Sequence, residues 1–294
     1  MSTERSVIPT PVSGSGAWTP VSSQPPGRGL VYWLSGALVI ITVIAATITL
    51  AAPQLLTGPA AMNGSARGTA LVVLGVAVPS LMLSLHSIRS GSLVTTAILL
   101  GTLSYLTYNS MMFVFGTPYN RLFLLYVGML SLSLWSLLVL VWRVVPAVPA
   151  TTVRLGRPVA VYLWLVAAMN ALIWLSTIVP SIVADRPGAV TDGMGVATNP
   201  VFVQDLAIWL PAAAVVALGL WRRRPWGALL AGAVLVFWFI ESVGIAVDQW
   251  FGSTADPAST VTSMTMVPAF AGLAVIGLAP LWIVLRSLRG THLD

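Results

Sequence analysis

The stretch VYWLSGALVIITVIAATITLA, from Val31 to Ala51, runs for twenty-one residues without a single charge. At about 1.5 Å rise per residue it is long enough to cross a hydrocarbon core of about 30 Å as a helix. Helix is the expected form because in lipid each backbone amide and carbonyl must find its partner within its own segment. A cleaved secretion signal has a shorter apolar core, about 7 to 15 residues, so this run reads as a retained span.

The same pattern recurs along the chain. Apolar runs between turn and charge clusters place further spans near 68 to 88, 93 to 115, 121 to 142, 158 to 180, 203 to 221, 226 to 247 and 263 to 285. Composition agrees: 57% of the 294 residues are hydrophobic and 7% are charged, against about 25% charged in soluble domains. The expected fold is therefore all-α, a polytopic transmembrane helical bundle of about eight spans over residues 31–286. A polar tail, 1–30, precedes it and a short one, 287–294, follows. The first tail, with Ser13-Gly14-Ser15-Gly16 and Pro25-Pro26-Gly27, has the composition of disorder.

Every basic residue apart from the two histidines is arginine, and there is no cysteine. Counted on alternate sides of eight spans, eleven arginines fall on one side (residues 5, 28, 89, 143, 154, 157, 222, 223, 224, 286 and 289). Three fall on the other: Arg67, Arg121 and Arg186. Cytoplasmic loops are enriched in positive charge, so the split places both termini in the cytoplasm. The net charge of +6 is thus spent on orientation, and no nucleic-acid partner is expected; the bilayer is the expected environment. Trp33, Trp142, Trp221, Trp226, Trp250 and Trp282 sit near span ends, where indoles favour the interface, whereas Trp174 and Trp238 read as aromatic core.

A weak internal repeat suggests a parallel four-plus-four duplication. Aligning Gly91 with Gly227 brings Phe115-Gly116 onto Phe251-Gly252 and Thr69 onto Asp205, while Pro79 and Pro211 miss register by four residues.

Ionisable groups within spans are costly and mark candidate sites. Glu241 stands about fifteen residues into the seventh span, and Asp248 follows on the same helix face two turns later. Asp205 opens the sixth span, where a carboxylate also suits a helix N-terminus. Asn109 lies well up the third span, and Asn120 and Arg121 open the fourth. The six share the outer side, which defines a candidate ligand pocket between the third, fourth, sixth and seventh helices. Asn170 in the fifth span could extend it inward. In a structural reading Arg121 pairs with a carboxylate and the asparagines bond between helices, at about 0.6 kcal/mol per bond. In a functional reading the six line an outward-facing polar pocket for a small molecule or cation. The loop from Ser181 to Phe202, rich in glycine and proline, is expected to cover its mouth.

No cofactor is implied. His86 and His292 are far apart, and without cysteine a zinc site is not expected. Glu241 and Asp248 fall short of the six to eight oxygens that calcium prefers. Phosphate-loop, His-Glu-x-x-His and Gly-x-Ser-x-Gly motifs do not occur in the chain, so catalysis is not expected. Arg222-Arg223-Arg224 serves equally as a topology anchor or as a grip on anionic lipid.

Two stretches, Tyr108-Asn109 through Phe115 to Tyr126, and Asn199 to Leu206 through Arg222 to Gly227, resemble a family of bacterial multi-span membrane proteins, common in actinobacteria, that have no assigned function. The likeness runs from the first to the seventh span. In that family the second span also begins with an acidic residue; here Thr69 takes the place, leaving Asp205 alone of the pair. The resemblance implies a bacterial plasma-membrane location and no activity. The function expected is small-solute or ion permeation, or ligand sensing; a non-catalytic scaffold or accessory subunit is the alternative. An intramembrane enzyme acting on lipid comes last, with no nucleophile or metal to name.

Overall fold

The structure is a computed structural model that describes residues 28–150 and 157–293. The tail expected over residues 1–30 lies mostly outside the described residues, as does Arg154. Among the described residues eight helices are long and apolar enough to cross a membrane: α1 (Gly29–Ala51), α2 (Ala60–Ser87), α3 (Leu93–Phe115), α4 (Phe123–Ala147), α5 (Arg157–Val183), α6 (Pro200–Trp221), α7 (Pro225–Ala255) and α8 (Met266–Ser287). The chain is an all-α polytopic bundle. Its two ends are named here by charge, arginine-rich where α1 begins and arginine-poor where α2 begins.

The boundaries depart from the sequence reading where a charge was taken as a stop. α2 starts at Ala60 rather than near 68, so Arg67 lies within the helix. Its guanidinium is accommodated there: Nε donates to the Leu50 carbonyl at 3.3 Å, and the group stands 6.0 Å from the Phe251 ring. α7 runs to Ala255 rather than 247, about 46 Å at 1.5 Å per residue, and keeps Asp248 inside its helical length.

α7 is the axis of the bundle, packing on α2, α3, α6 and α8. It approaches α2 closely through Gly64 and Gly68. A Cβ on Gly64 would come 2.6 Å from the Phe251 carbonyl oxygen, and one on Gly68 would come 2.7 Å from Asp248 Cα. Small residues four apart let two backbones meet in this way, and in lipid such van der Waals contact replaces the hydrophobic drive. α1 packs on α2 and α4, and α3 on α4. α5 rests chiefly on α6, and α8 on α7, so these two spans flank a gap instead of closing on one another.

The second span of each half is built alike. A five-residue π segment, Val73–Ala77 in α2 and Asp205–Trp209 in α6, begins six residues before a proline, Pro79 or Pro211. Proline has no amide hydrogen and its ring crowds the carbonyl four residues back; a π turn is one local adjustment that absorbs the misfit. Each span then ends in a left-handed residue, Gly91 (φ 68°) or Arg223 (φ 54°), followed by an extended one, Ser92 or Arg224. All of these pairs differ by 132 positions, whereas Phe115-Gly116 and Phe251-Gly252 differ by 136.

Residues 288–293 turn back onto the α2–α3 connection. The Leu93 amide donates to the Thr291 carbonyl at 3.1 Å, the Leu293 amide to the Gly91 carbonyl at 2.9 Å, and His292 Nδ1 lies 2.9 Å from the Ser90 carbonyl.

Candidate functional site

A cavity of about 680 Å³ runs from the arginine-poor end into the middle of the bundle, lined by α2, α3, α5, α6, α7 and α8. The fourth helix, expected as a wall, contributes nothing, because α4 packs against α1 and α3 on the far side.

Of the six expected site residues, four meet here. Asn109 is buried, and its Nδ2 donates to Glu241 Oε2 at 2.9 Å while also reaching the Tyr105 carbonyl at 3.2 Å. Glu241 is only partly buried because it fronts the cavity. Asp248 also lines it, and Oδ1 accepts from Gln249 Nε2 at 3.2 Å. Gln249 is itself held, its Oε1 accepting the Ser263 amide at 2.9 Å. Asp205 is buried at the start of the α6 π segment; Oδ2 accepts from Trp174 Nε1 at 2.8 Å, and the Tyr108 hydroxyl lies close to the same carboxylate.

Asn120 and Arg121 do not join them. Asn120 is buried in the turn before α4, where Oδ1 accepts the Leu122 amide at 2.9 Å and Nδ2 donates to the Pro118 carbonyl at 3.0 Å. Its polar atoms are used locally, as an Asx turn requires. Arg121 is exposed and lines no part of the cavity, so the expected pairing with a carboxylate is not made. Among the described residues the cavity wall holds no basic side chain.

The sequence reading missed the aromatic wall. Tyr108, Trp209 and Phe237 form a cluster with centroids 5.0 to 6.1 Å apart, and Trp174 lies 4.9 Å from Phe202. Trp174, read as core, is the indole that holds Asp205. Its position four residues after Asn170, which also lines the cavity, was the available signal, since such residues share a helix face. Thr69 lines the cavity as well.

α6 is positioned by its cap: Asn199 Oδ1 accepts the Val201 and Phe202 amides at 3.0 and 3.5 Å, and Pro200 opens the helix. The preceding loop lies over the cavity as expected. Met194 lines it and is buried, and the loop is wedged among its neighbours. A Cβ on Gly195 would meet Pro59 at 2.8 Å, and one on Gly193 would meet Val261 at 3.0 Å.

Compared with protein-family models, curated proteins and solved structures, the chain matches none. The reading of the site therefore rests on its own chemistry. Three carboxylates share one cavity with aromatic faces and amide donors. Such a wall accepts hydrogen bonds and attracts positive charge, and its apolar area takes up the body of a small ligand.

Proposed function

We propose that this is a non-catalytic membrane protein that binds a small solute or cation in the α3–α6–α7 cavity, as a permeation protein or a ligand sensor. We further propose that it sits in a bacterial plasma membrane with both termini cytoplasmic, as the arginine distribution and the resemblance to bacterial multi-span proteins suggest. The observation that carries the reading is the convergence of Asp205, Glu241 and Asp248 on one cavity whose wall, among the described residues, holds no basic side chain. Buried carboxylates left without a counter-charge are costly in a membrane and are retained for a use.

The scaffold reading draws on the Asn109–Glu241 bond, which joins α3 to α7 and would serve helix packing alone. A thermal-shift screen of solutes and metabolites on the purified protein separates the two, because a ligand of the folded state raises the melting temperature. Binding is expected for at least one solute and is expected to weaken in Glu241→Gln. A screen in which no solute shifts the wild type, while the cavity carboxylates can be replaced by amides without effect, would favour the scaffold.

A further inference from the structure

The way into the cavity is the informative feature. On the water side of the arginine-poor end the 181–202 loop is wedged over it, with Met194 buried against the lining. On the membrane side, α5 and α8 flank a gap. Met169 and Ile173 of α5 and Met266 and Leu273 of α8 all line the cavity, and all are also exposed on the outer surface of the bundle. A side chain that does both stands at a rim. The rim is wholly apolar, and it faces the direction occupied by lipid.

Inside that apolar rim the wall turns acidic and aromatic. A further polar group awaits a partner: Thr262, 5% exposed, lines the cavity with its hydroxyl unpartnered. Among the described residues no three Asp, Glu or His side chains converge closely enough to hold a metal ion. Carboxylates that are spread along the wall among ring faces suit a diffuse positive charge better than a compact one, since ring faces attract a cation lodged within about 6 Å of their centroids.

We infer that the ligand is an organic cation with an apolar body, of the amine or quaternary ammonium type, and that it enters sideways from the bilayer between α5 and α8. This inference rests on the proposed binding function and narrows it. The apolar body partitions into lipid and passes the Met169–Leu273 rim; the charge is then received by Asp205 and Glu241 beside the Tyr108–Trp209–Phe237 rings. A hydrophilic ion would have no reason to use that route. A lipophilic anion would take the route but meet carboxylates at its end, with no basic side chain among the described residues of the wall.

The test uses the full-length purified protein in detergent with three probes: labelled tetraphenylphosphonium, tetraphenylborate of the same shape and opposite charge, and tetramethylammonium, a cation without an apolar body. Binding is read by equilibrium dialysis with unlabelled competitor, and by quenching of the tryptophans in the wall. Tetraphenylphosphonium is expected to bind saturably and at least tenfold more tightly than either other ion. Asp205→Asn combined with Glu241→Gln should weaken it tenfold or more. Gly277→Leu gives an independent check on the route. That glycine lines the cavity from α8, and a Cβ there comes no nearer than 4.0 Å to the Tyr162 hydroxyl, so the fold should tolerate it while the passage narrows. It should slow tetraphenylphosphonium association severalfold. Equal binding of tetraphenylborate overturns the cationic assignment. Tighter tetramethylammonium binding, or association unaffected by Gly277→Leu, overturns the lateral route and the lipophilic class while leaving solute binding intact. If none of the three binds saturably, this inference falls; if the wider solute screen is also blank, the binding function falls with it.

Discussion

The amide of Asn109 donates to the carboxylate of Glu241 at 2.9 Å, across 132 positions of sequence and from α3 to α7. One oxygen of Glu241 is thus held by the protein while the residue still fronts the cavity. The bond is at once a tie between the two central helices and a device that fixes the carboxylate facing the space beside it.

Replacing Glu241 by glutamine keeps the acceptor for Asn109 and removes the charge. Its unfolding midpoint should stay near the wild-type value while ligand affinity falls. Asn109→Leu should behave oppositely. It leaves a carboxylate without its donor in a protein interior, at a cost of about 1–3 kcal/mol, which denaturant titration of the purified protein can resolve. If Glu241→Gln instead prevents stable assembly, the carboxylate is structural and its role in binding is withdrawn.

Trp174→Phe probes the second carboxylate. It retains a ring against Phe202 but loses the indole donor to Asp205, leaving the Tyr108 hydroxyl. A hydrogen bond to a charged group contributes about 1.5–3 kcal/mol, so a loss of stability at or below that range is expected, together with weaker ligand binding. Unchanged binding would place Asp205 outside the ligand's reach.

The eight spans were legible because charge-free runs of about twenty residues admit few alternatives, and so were three carboxylates and one asparagine of the cavity. Arg121 and Asn120 were misassigned for a physical reason: sequence depth says how far along the bundle a residue lies, not which way it faces. Asn120 turns into its own loop and Arg121 outward. Arg67 was read as a boundary because a charge usually ends a span, yet a neighbouring backbone carbonyl and the face of the Phe251 ring let the helix pass through it. Asn170 signalled the contribution of α5, but those of α2 and α8 could not be read from sequence, since pairing between apolar helices follows from small residues such as Gly64 and Gly68 that look alike wherever they occur. The 132-residue spacing shared by the π segments and the left-handed turns is a backbone property and became visible only in the structure.

Gly68 and Gly75 lie on the same helix and make a paired test of that packing. A side chain at Gly68 meets the α7 backbone, whereas nothing lies within 4 Å of a Cβ on Gly75. Gly68→Val should therefore lower the unfolding midpoint by the equivalent of about 1–3 kcal/mol or more, as overpacking does, while Gly75→Ala should be neutral. Equal behaviour of the two would mean that α2 and α7 are less intimately packed than the structure has them.

The orientation can be tested directly because the chain has no cysteine of its own. Ser90 at the arginine-rich end and Ala258 at the arginine-poor end are both exposed. In intact cells an impermeant thiol reagent should label Ala258→Cys and spare Ser90→Cys until the membrane is opened. The reverse pattern would invert the topology.

Pro211 offers the most searching test of how the site is built. Its missing amide and crowded ring coincide with the π segment that starts at Asp205, and that widened turn sets where the carboxylate points relative to Trp174 and Tyr108. In Pro211→Ala the amide is restored and the crowding relieved, so the helix gains the option of ordinary i to i−4 bonding, which would rotate Asp205 by about one residue, or 100°, around the axis. The cap at Asn199 resists that rotation from the other end. Stability should hold or rise, since proline in a helix interior is disfavoured by about 3 kcal/mol. Ligand affinity should fall, and the emission of Trp174 should shift as its acceptor moves away. Pro79→Ala supplies the control: it sits at the same spacing behind the α2 π segment, where no carboxylate depends on the turn. It should relax the helix without touching binding. If both variants leave affinity and emission unchanged, the π turn is held by the surrounding helices rather than by the proline, and the cap and the Trp174 bond alone aim Asp205 into the site.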